Sequence, residues 1–400
     1  MRLPREAYPF RDACSTYLPA LRPAQCGGFA WWVYGTILAG SGCQAAVATA
    51  PEPVVGAAHT GAARQALREW LCDGADKAVP CAGEVAVTAC FAPQRRWVLA
   101  WWRGEDPAQP LPLDATCLRD RLAVLSVSVL YRGGAIPVAR HVTAANRPGA
   151  WLDPALALLD DVAPAVGPEQ MVLVLADRGP WSPRLRDAIR GHGRHPLLRV
   201  HQEAAFRPTG GGRVRAATLA PEPGTAWVGA GTAFTHAPER LDATLVAVRE
   251  EGQDDPCLVL TDVPTDAVGA CWCDLRAWIE LGFRALESPG WHWERTRRTD
   301  PDRVARHWLV LAVATLWTLA TGTRVEDAAR LGRESANLRV AVPPPAAAPR
   351  TTSVFARGLA RLRWQLLRVR RLWARTWRWP EPWPADPPGL LVQTSASSGP

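Results

Sequence analysis

MVLVLADRGPWSPRLRDAIRGHG, residues 171–193, is the stretch that decides the fold. An apolar run from Met171 to Ala176 meets Asp177-Arg178-Gly179, and Pro180-Trp181-Ser182 then reads as the start of a helix. Val- and Leu-rich runs of this length, bounded by turn residues, are buried strands. A solubilising charge could sit anywhere in the following loop. This carboxylate instead lies at the carboxyl end of a core strand, where α/β sheets present their chemistry. The question is whether Asp177 has partners.

Working outward, residues 111–145 change period. LPLDAT (111–116), RLAVLSVSVLYRG (121–133) and AIPVARHVTA (135–144) read as three strands joined by short turns, an antiparallel meander. WLDPALALLDDVAPAV reads as a helix, 171–176 as a fourth strand, SPRLRDAIRGHG as a helix and PLLRVH as a fifth strand. The order β-β-β-α-β-α-β is that of the RNase H-like fold. The predicted fold class is therefore α/β. It is an RNase H-like catalytic domain with a mixed five-stranded sheet and helices, interrupted by a mainly β insertion, with a helical N-terminal region and a helical C-terminal tail.

The predicted organisation is a mainly helical region over 1–105, with β-like character in VAVTACFAP and RRWVLAWW toward its end. A catalytic domain follows over 106–340, with a Gly- and Pro-rich β insertion at about 203–266. A Pro/Ala-rich linker spans 341–353, a basic aromatic helical tail 354–380, and 381–400 is expected to be disordered.

Composition narrows the class. The 400 residues are 48% hydrophobic and 21% charged, as in a soluble globular protein. Net charge is +8 with 20 Trp, and of the 46 basic residues only Lys77 is not Arg. A basic, Trp-rich chain leans toward a polyanionic partner. The ten Cys form no CxxC pair, which fits reduced and mostly buried thiols in a cytoplasmic protein. The first fifteen residues lack a signal-peptide apolar core. WLVLAVATLWTLA (308–320) reads as a buried helix, and no membrane partner is expected. His192, His195 and His201 read as ordinary strand-end and loop histidines.

Two further stretches supply partners for Asp177. In LPLDAT, period two puts Leu111, Leu113 and Ala115 on one face and Asp114 and Thr116 on the other. In an RNase H-like sheet the first and fourth strands are neighbours, so Asp114 would face Asp177. The bland alternative makes Asp114 a turn residue. In CWCDLRAWIELGFRALES (271–288), Trp272, Leu275, Ile279, Phe283 and Leu286 form an apolar helical stripe. Beside it run Cys273, Arg276, Glu280, Arg284 and Glu287. Arg276 and Glu280 share a face; this is either a surface ion pair or the third carboxylate of a site with its phosphate ligand. Asp114, Asp177 and Glu280 together suit two Mg²⁺ ions, with Mn²⁺ as a substitute, poised for in-line attack on a phosphodiester.

With these residues in place, the chain resembles DDE transposases of the family-four insertion-sequence type. The resemblance runs from about 60 to 335 and rests on LDAT (113–116), VLYRGGAIPVA (129–139), LADRGPWSPRL (175–185), LVLTDVP (258–264), LRAWIELGFRAL (275–286) and GWHWERTRRTDP (290–301). It implies catalytic, metal-holding roles for Asp114, Asp177 and Glu280, and phosphate binding by Arg276. It also implies terminal inverted repeats and target DNA as double-stranded partners, a homodimer on DNA, and a bacterial cytoplasm. The family's helix signature is Tyr, two residues, Arg, three residues, Glu, six residues, Lys. Here Cys273 stands at the Tyr position and Glu287 at the Lys position. These departures fit a copy drifted from an active element. They keep open a DNA-binding relic without catalysis, alongside an RNase H-like nuclease without strand transfer.

Further DNA-contact candidates are Arg284, Arg297 and Arg298, with Trp291 and Trp293 either stacking on unpaired bases or anchoring the core. The tail ARGLARLRWQLLRVRRLWARTWRW (356–379) has eight Arg, no acid, and a helical stripe of Leu362, Leu366, Val369, Trp373 and Trp377. It suits DNA, a membrane surface or a partner subunit. The resemblance favours docking on the protein itself or dimer formation.

Overall fold

The structure, a computed structural model, describes residues 3–56, 60–77, 83–102, 108–118, 120–145, 151–165, 170–177, 182–234, 240–330, 350–368 and 390–394, with 167, 370 and 372. Arg178-Gly179-Pro180-Trp181, the linker up to 349 and the tail's Val369, Trp373 and Trp377 lie outside the described residues.

The N-terminal region is helical: α1 (Tyr8–Tyr17), α2 (Pro23–Ala39), α3 (Gln44–Thr49), α4 (Glu52–Val55), α5 (Thr60–Leu71) and α6 (Phe91–Ala100). The β-like reading of its last part is corrected here. Phe91, Gln94, Arg95 and Val98 are buried at helical spacing, so RRWVLA packs as a helix whose polar Gln94 and Arg95 find partners inside. Gln94 donates to the Pro137 carbonyl at 2.7 Å, and Arg95 Nη2 donates to Gln109 Oε1 at 2.5 Å.

The sheet follows the predicted order. The meander is β1 (Ala108–Leu118), β2 (Leu122–Tyr131) and β3 (Gly134–Ala144). Then come α7 (Leu152–Val162), β4 (Met171–Ala176), α8 (Pro183–Gly191) and β5 (His195–Arg199). Their order across the sheet is β3-β2-β1-β4-β5, with β4 parallel to both β1 and β5. Ser182 caps α8, its hydroxyl accepting from the Leu185 N–H at 3.1 Å.

The β insertion is not a separate body. It contains β6 (Ala205–Pro208), β7 (Val214–Arg215), β8 (Thr225–Ala233), β9 (Leu241–Arg249) and β10 (Cys257–Thr261). β10 pairs antiparallel with β5, and the sheet continues through β9, β8, β6 and β7. An unpaired β5 edge would expose a row of backbone groups, which β10 satisfies.

α9 (Leu275–Leu286) lies on the sheet, and α10 (Pro301–Arg330) runs through the interior. By length and composition α10 could cross a membrane, but 89% of its apolar window is buried within the fold. Trp308, Leu309, Leu316 and Trp317 join one core with Phe10, Trp32 and Trp97 of the N-terminal helices and Leu111, Val127 and Val174 of the sheet. Region 1–105 is thus continuous with the sheet's packing.

α11 (Val354–Leu367) lies in the basic tail. It packs on α10 through Gly322 and Gly358, where a Cβ on either would collide with the backbone of the other helix. Leu362 and Leu366 are buried, as the stripe predicted. The expected disorder after 381 is corrected in part. β11 (Leu391–Thr394) pairs parallel with β8, because β8 offers an open edge at Thr225–Val228.

Candidate functional site

Strand parity builds the site. Along β4, Val172, Val174 and Ala176 enter the core shared with α10, while Leu173 and Leu175 join the core beneath α9. Leu111 and Leu113 of β1 likewise point to the α10 side. Leu113 pairs with Ala176, the last rung between the two strands. The next residues, Asp114 and Asp177, therefore point together to the α9 side, at the place where β1 and β4 part.

α9 brings Glu280. Gly282 lies against Ala135 of β3, and a Cβ there would come within 2.8 Å of the Ala135 nitrogen. The helix sits close to the sheet for this reason. Asp114, Asp177, Glu280, Arg276 and Arg199 line one cleft.

The charges in it are coupled. Asp114 holds its proton more tightly than an ordinary carboxyl group, chiefly through burial, with Asp177 and Glu280 adding to the effect. The Ala115 N–H, donating to Asp114 Oδ1 at 2.8 Å, and Arg276 oppose it. Asp177 Oδ1 accepts from Arg199 Nη1 at 3.4 Å. Arg276 Nε lies 3.3 Å from Glu280 Oε1, an exposed i,i+4 pair. Among the described residues no group of three His, Cys, Asp or Glu is close enough to hold a metal ion as placed. The donor set is nonetheless all oxygen and mutually repelling, which suits a hard divalent cation. Asp177 and Glu280 would turn from Arg199 and Arg276 to bind one.

Arg199 escaped the sequence reading. Its place depends on the β4–β5 register: Ala176 pairs with Leu198, so the residue ending PLLR stands beside Asp177.

The departures sit differently from expectation. α9 ends at Leu286, so Glu287 leaves the helix instead of continuing its polar stripe. The Thr116 hydroxyl donates to Glu287 Oε1 at 2.7 Å. Cys273 precedes α9, in a 3-10 turn over Ala270–Asp274, and is 7% exposed.

The other candidates divide. Arg284 is exposed and lines a different groove, with Leu281, Phe355 and Arg363. Arg297 is exposed. Arg298 is tied down: Nη2 donates to Gln44 Oε1 at 2.9 Å, the guanidinium lies over Trp32, and burial pushes its pKa down to about 10. Trp291 and Trp293 are 0% and 1% exposed, so the base-stacking option is closed. The Trp291 ring N–H donates to Thr315 Oγ1 at 2.8 Å, and Trp293 packs edge-on against Trp308. His192 and His195 pair with Asp160 and Asp262.

No curated protein matches the chain. Among solved structures, a cryo-EM structure of the piggyBac transposase synaptic complex with hairpin DNA is similar at 10% identity and a TM-score of 0.41, over 90% of this chain and 77% of that one. Residues 124–317 match the family described as Transposase DDE domain, a span that begins in β2, after Asp114. The matched residues carry Asp177, Arg276 and Glu280.

Proposed function

We propose that the protein is a DNA transposase that cleaves strands at the ends of an insertion sequence and joins them to target DNA. The observation that carries this reading is the convergence of Asp114, Asp177 and Glu280 on one cleft, where burial first, and then the other two carboxylates, raise the proton affinity of Asp114. Asp114, Asp177 and Glu280 would hold two Mg²⁺ ions, or Mn²⁺. Bound there, the metal would activate a water or a 3′-hydroxyl and stabilise the leaving oxygen. Arg276, half-exposed one turn before Glu280, binds the scissile phosphate or its neighbour. Arg199 holds Asp177 in place and presents a second cation at the cleft. Exposed Arg297 adds a contact to the DNA backbone, and two copies act together on the terminal repeats.

Glu287 favours a second reading, a DNA-binding relic with weakened cleavage. Its carboxylate hydrogen-bonds Thr116, two residues beyond Asp114 on the same strand face, where a cation would serve a phosphate better.

The test is cleavage of a labelled duplex carrying the element's own terminal repeat, with Mg²⁺ or Mn²⁺, by wild type and Asp177→Ala. Cleavage lost in the variant supports the first reading. DNA retarded by both proteins without cleavage supports the second. Undiminished cleavage by the variant rules out this site.

A further inference from the structure

Two cysteines share the cleft with the carboxylates. Cys257 opens β10, and Cys273 sits in the turn that leads into α9. Cys273 Sγ lies 3.9 Å from the Cys257 carbonyl oxygen, to which its S–H donates, so the two thiols are neighbours. Cys257 is partly exposed at the cleft. The other close thiols, Cys14, Cys26 and Cys90, are 0%, 1% and 0% exposed in the α1–α2–α6 core, beyond the reach of a solute. Cys257 also has the setting of a reactive thiol. The neighbouring Cys273 thiol, followed by Arg199 and Arg276, holds its pKa below the ordinary thiol value, against the effect of burial. Cys273 is pushed the other way, by the Cys257 thiol and by burial.

We propose that Cys257 and Cys273 are a reversible redox pair that reduces a small peroxide entering the cleft and closes to a disulfide between β10 and the lead-in to α9. The Cys257 thiolate attacks one peroxide oxygen and the O–O bond breaks. A sulfenic acid forms on Cys257, and the departing hydroxide takes up a proton to become water. Cys273 sulfur then forms the S–S bond, displacing hydroxide, which leaves with the Cys273 proton as a second water. The thiols lose two electrons and the peroxide gains them.

The bond fixes the turn from which Arg276 and Glu280 are presented, so oxidation of this pair controls the site. That consequence rests on the reading of the cleft as a DNA-cleavage site; the disulfide itself does not.

The experiment exposes the reduced full-length protein to hydrogen peroxide, alkylates the remaining thiols and maps peptides by mass. Two of the ten thiols are lost first, recovered as one cross-link between Cys257 and Cys273 and restored by dithiothreitol. Cys257→Ser and Cys273→Ser each abolish that cross-link. Separate alkylation of both thiols after peroxide, or a cross-link from Cys273 to Cys271, would overturn the proposal. A second arm measures duplex cleavage before and after oxidation. Loss on oxidation, with recovery by dithiothreitol in wild type and no peroxide effect in Cys257→Ser, is expected. Unchanged cleavage by fully cross-linked protein would overturn control of the site. A protein that never cleaves, yet still forms the cross-link, would count against the transposase reading alone.

Discussion

Thr116 of β1 donates its hydroxyl hydrogen to Glu287, the residue just past the end of α9. This contact ties the helix that presents Glu280 to the strand that presents Asp114, and it places another carboxylate beside the cleft. Cys273→Tyr is a poor companion for Glu287→Lys, because Cys273 is buried and a tyrosine there overpacks, at about 1–3 kcal/mol. Glu287→Lys alone removes a neutral–charged hydrogen bond, about 1.5–3 kcal/mol, and reverses the charge. The expected outcome is a small fall in melting temperature with increased strand cleavage at fixed Mg²⁺. Lower cleavage by the folded variant would show that Glu287 serves the site as it stands.

Asp114 predicts a pH and metal dependence. Its folded-state pKa is raised, so the native protein binds this proton more tightly than the unfolded chain does. Stability therefore falls as pH rises from the unfolded carboxyl value through the raised one, and the cost of the buried charge persists above it. Asp114→Asn should raise the melting temperature at neutral pH, with a gain that shrinks on acidification. Mg²⁺ should stabilise wild type, by about 2.7 kcal/mol at a hundred times its dissociation constant, and should do so far less in Asp114→Asn. Equal Mg²⁺ shifts for both proteins would place the metal elsewhere.

Much of this was legible from local pattern. The seven elements from β1 to β5 announce themselves by period and turn chemistry, and Asp114 and Asp177 come together from strand parity and strand ends once β1 and β4 are neighbours. What pattern could not supply was context. Phe91–Ala100 looks β-like by residue type, yet its burial repeats at helical spacing because it must cover β3. Trp291 and Trp293 lie among arginines in sequence but turn inward to meet Thr315 and Trp308 from α10. Arg199 needed the β4–β5 register, and Glu287 needed the end of α9. In each case the deciding partner is far away along the chain.

Arg132 anchors a buried ionic cluster outside the cleft. At the turn between β2 and β3 its Nη1 lies 2.6 Å from Asp327 Oδ1 and 3.2 Å from Glu326 Oε2 of α10, all three side chains being almost fully buried. Arg350, just before α11, joins through Glu326 at 2.7 Å. Asp327→Ala removes the nearer of the two carboxylates that Arg132 meets in a buried setting, leaving Glu326, and should cost about 3–5 kcal/mol. Urea unfolding monitored by tryptophan fluorescence measures this directly. A loss within 1 kcal/mol, order of magnitude for a surface pair, would mean that water reaches the cluster.

Trp293 and Arg297 stand four residues apart and should fail in opposite ways. Trp293 is 1% exposed and packs on Trp308, with ring centroids 5.1 Å apart. Trp293→Ala should cost about 3–5 kcal/mol of stability through the cavity it leaves. Arg297 is exposed, so Arg297→Ala should leave unfolding unchanged. If it touches a phosphate, its loss weakens duplex binding evenly across sequences and reduces the slope of log affinity against log salt by about one. Paired unfolding curves and salt titrations of DNA binding separate the two roles. A Trp293→Ala protein of wild-type stability that binds unpaired ends poorly would restore the stacking role that burial denies it. An unchanged salt slope for Arg297→Ala would remove that arginine from the DNA interface.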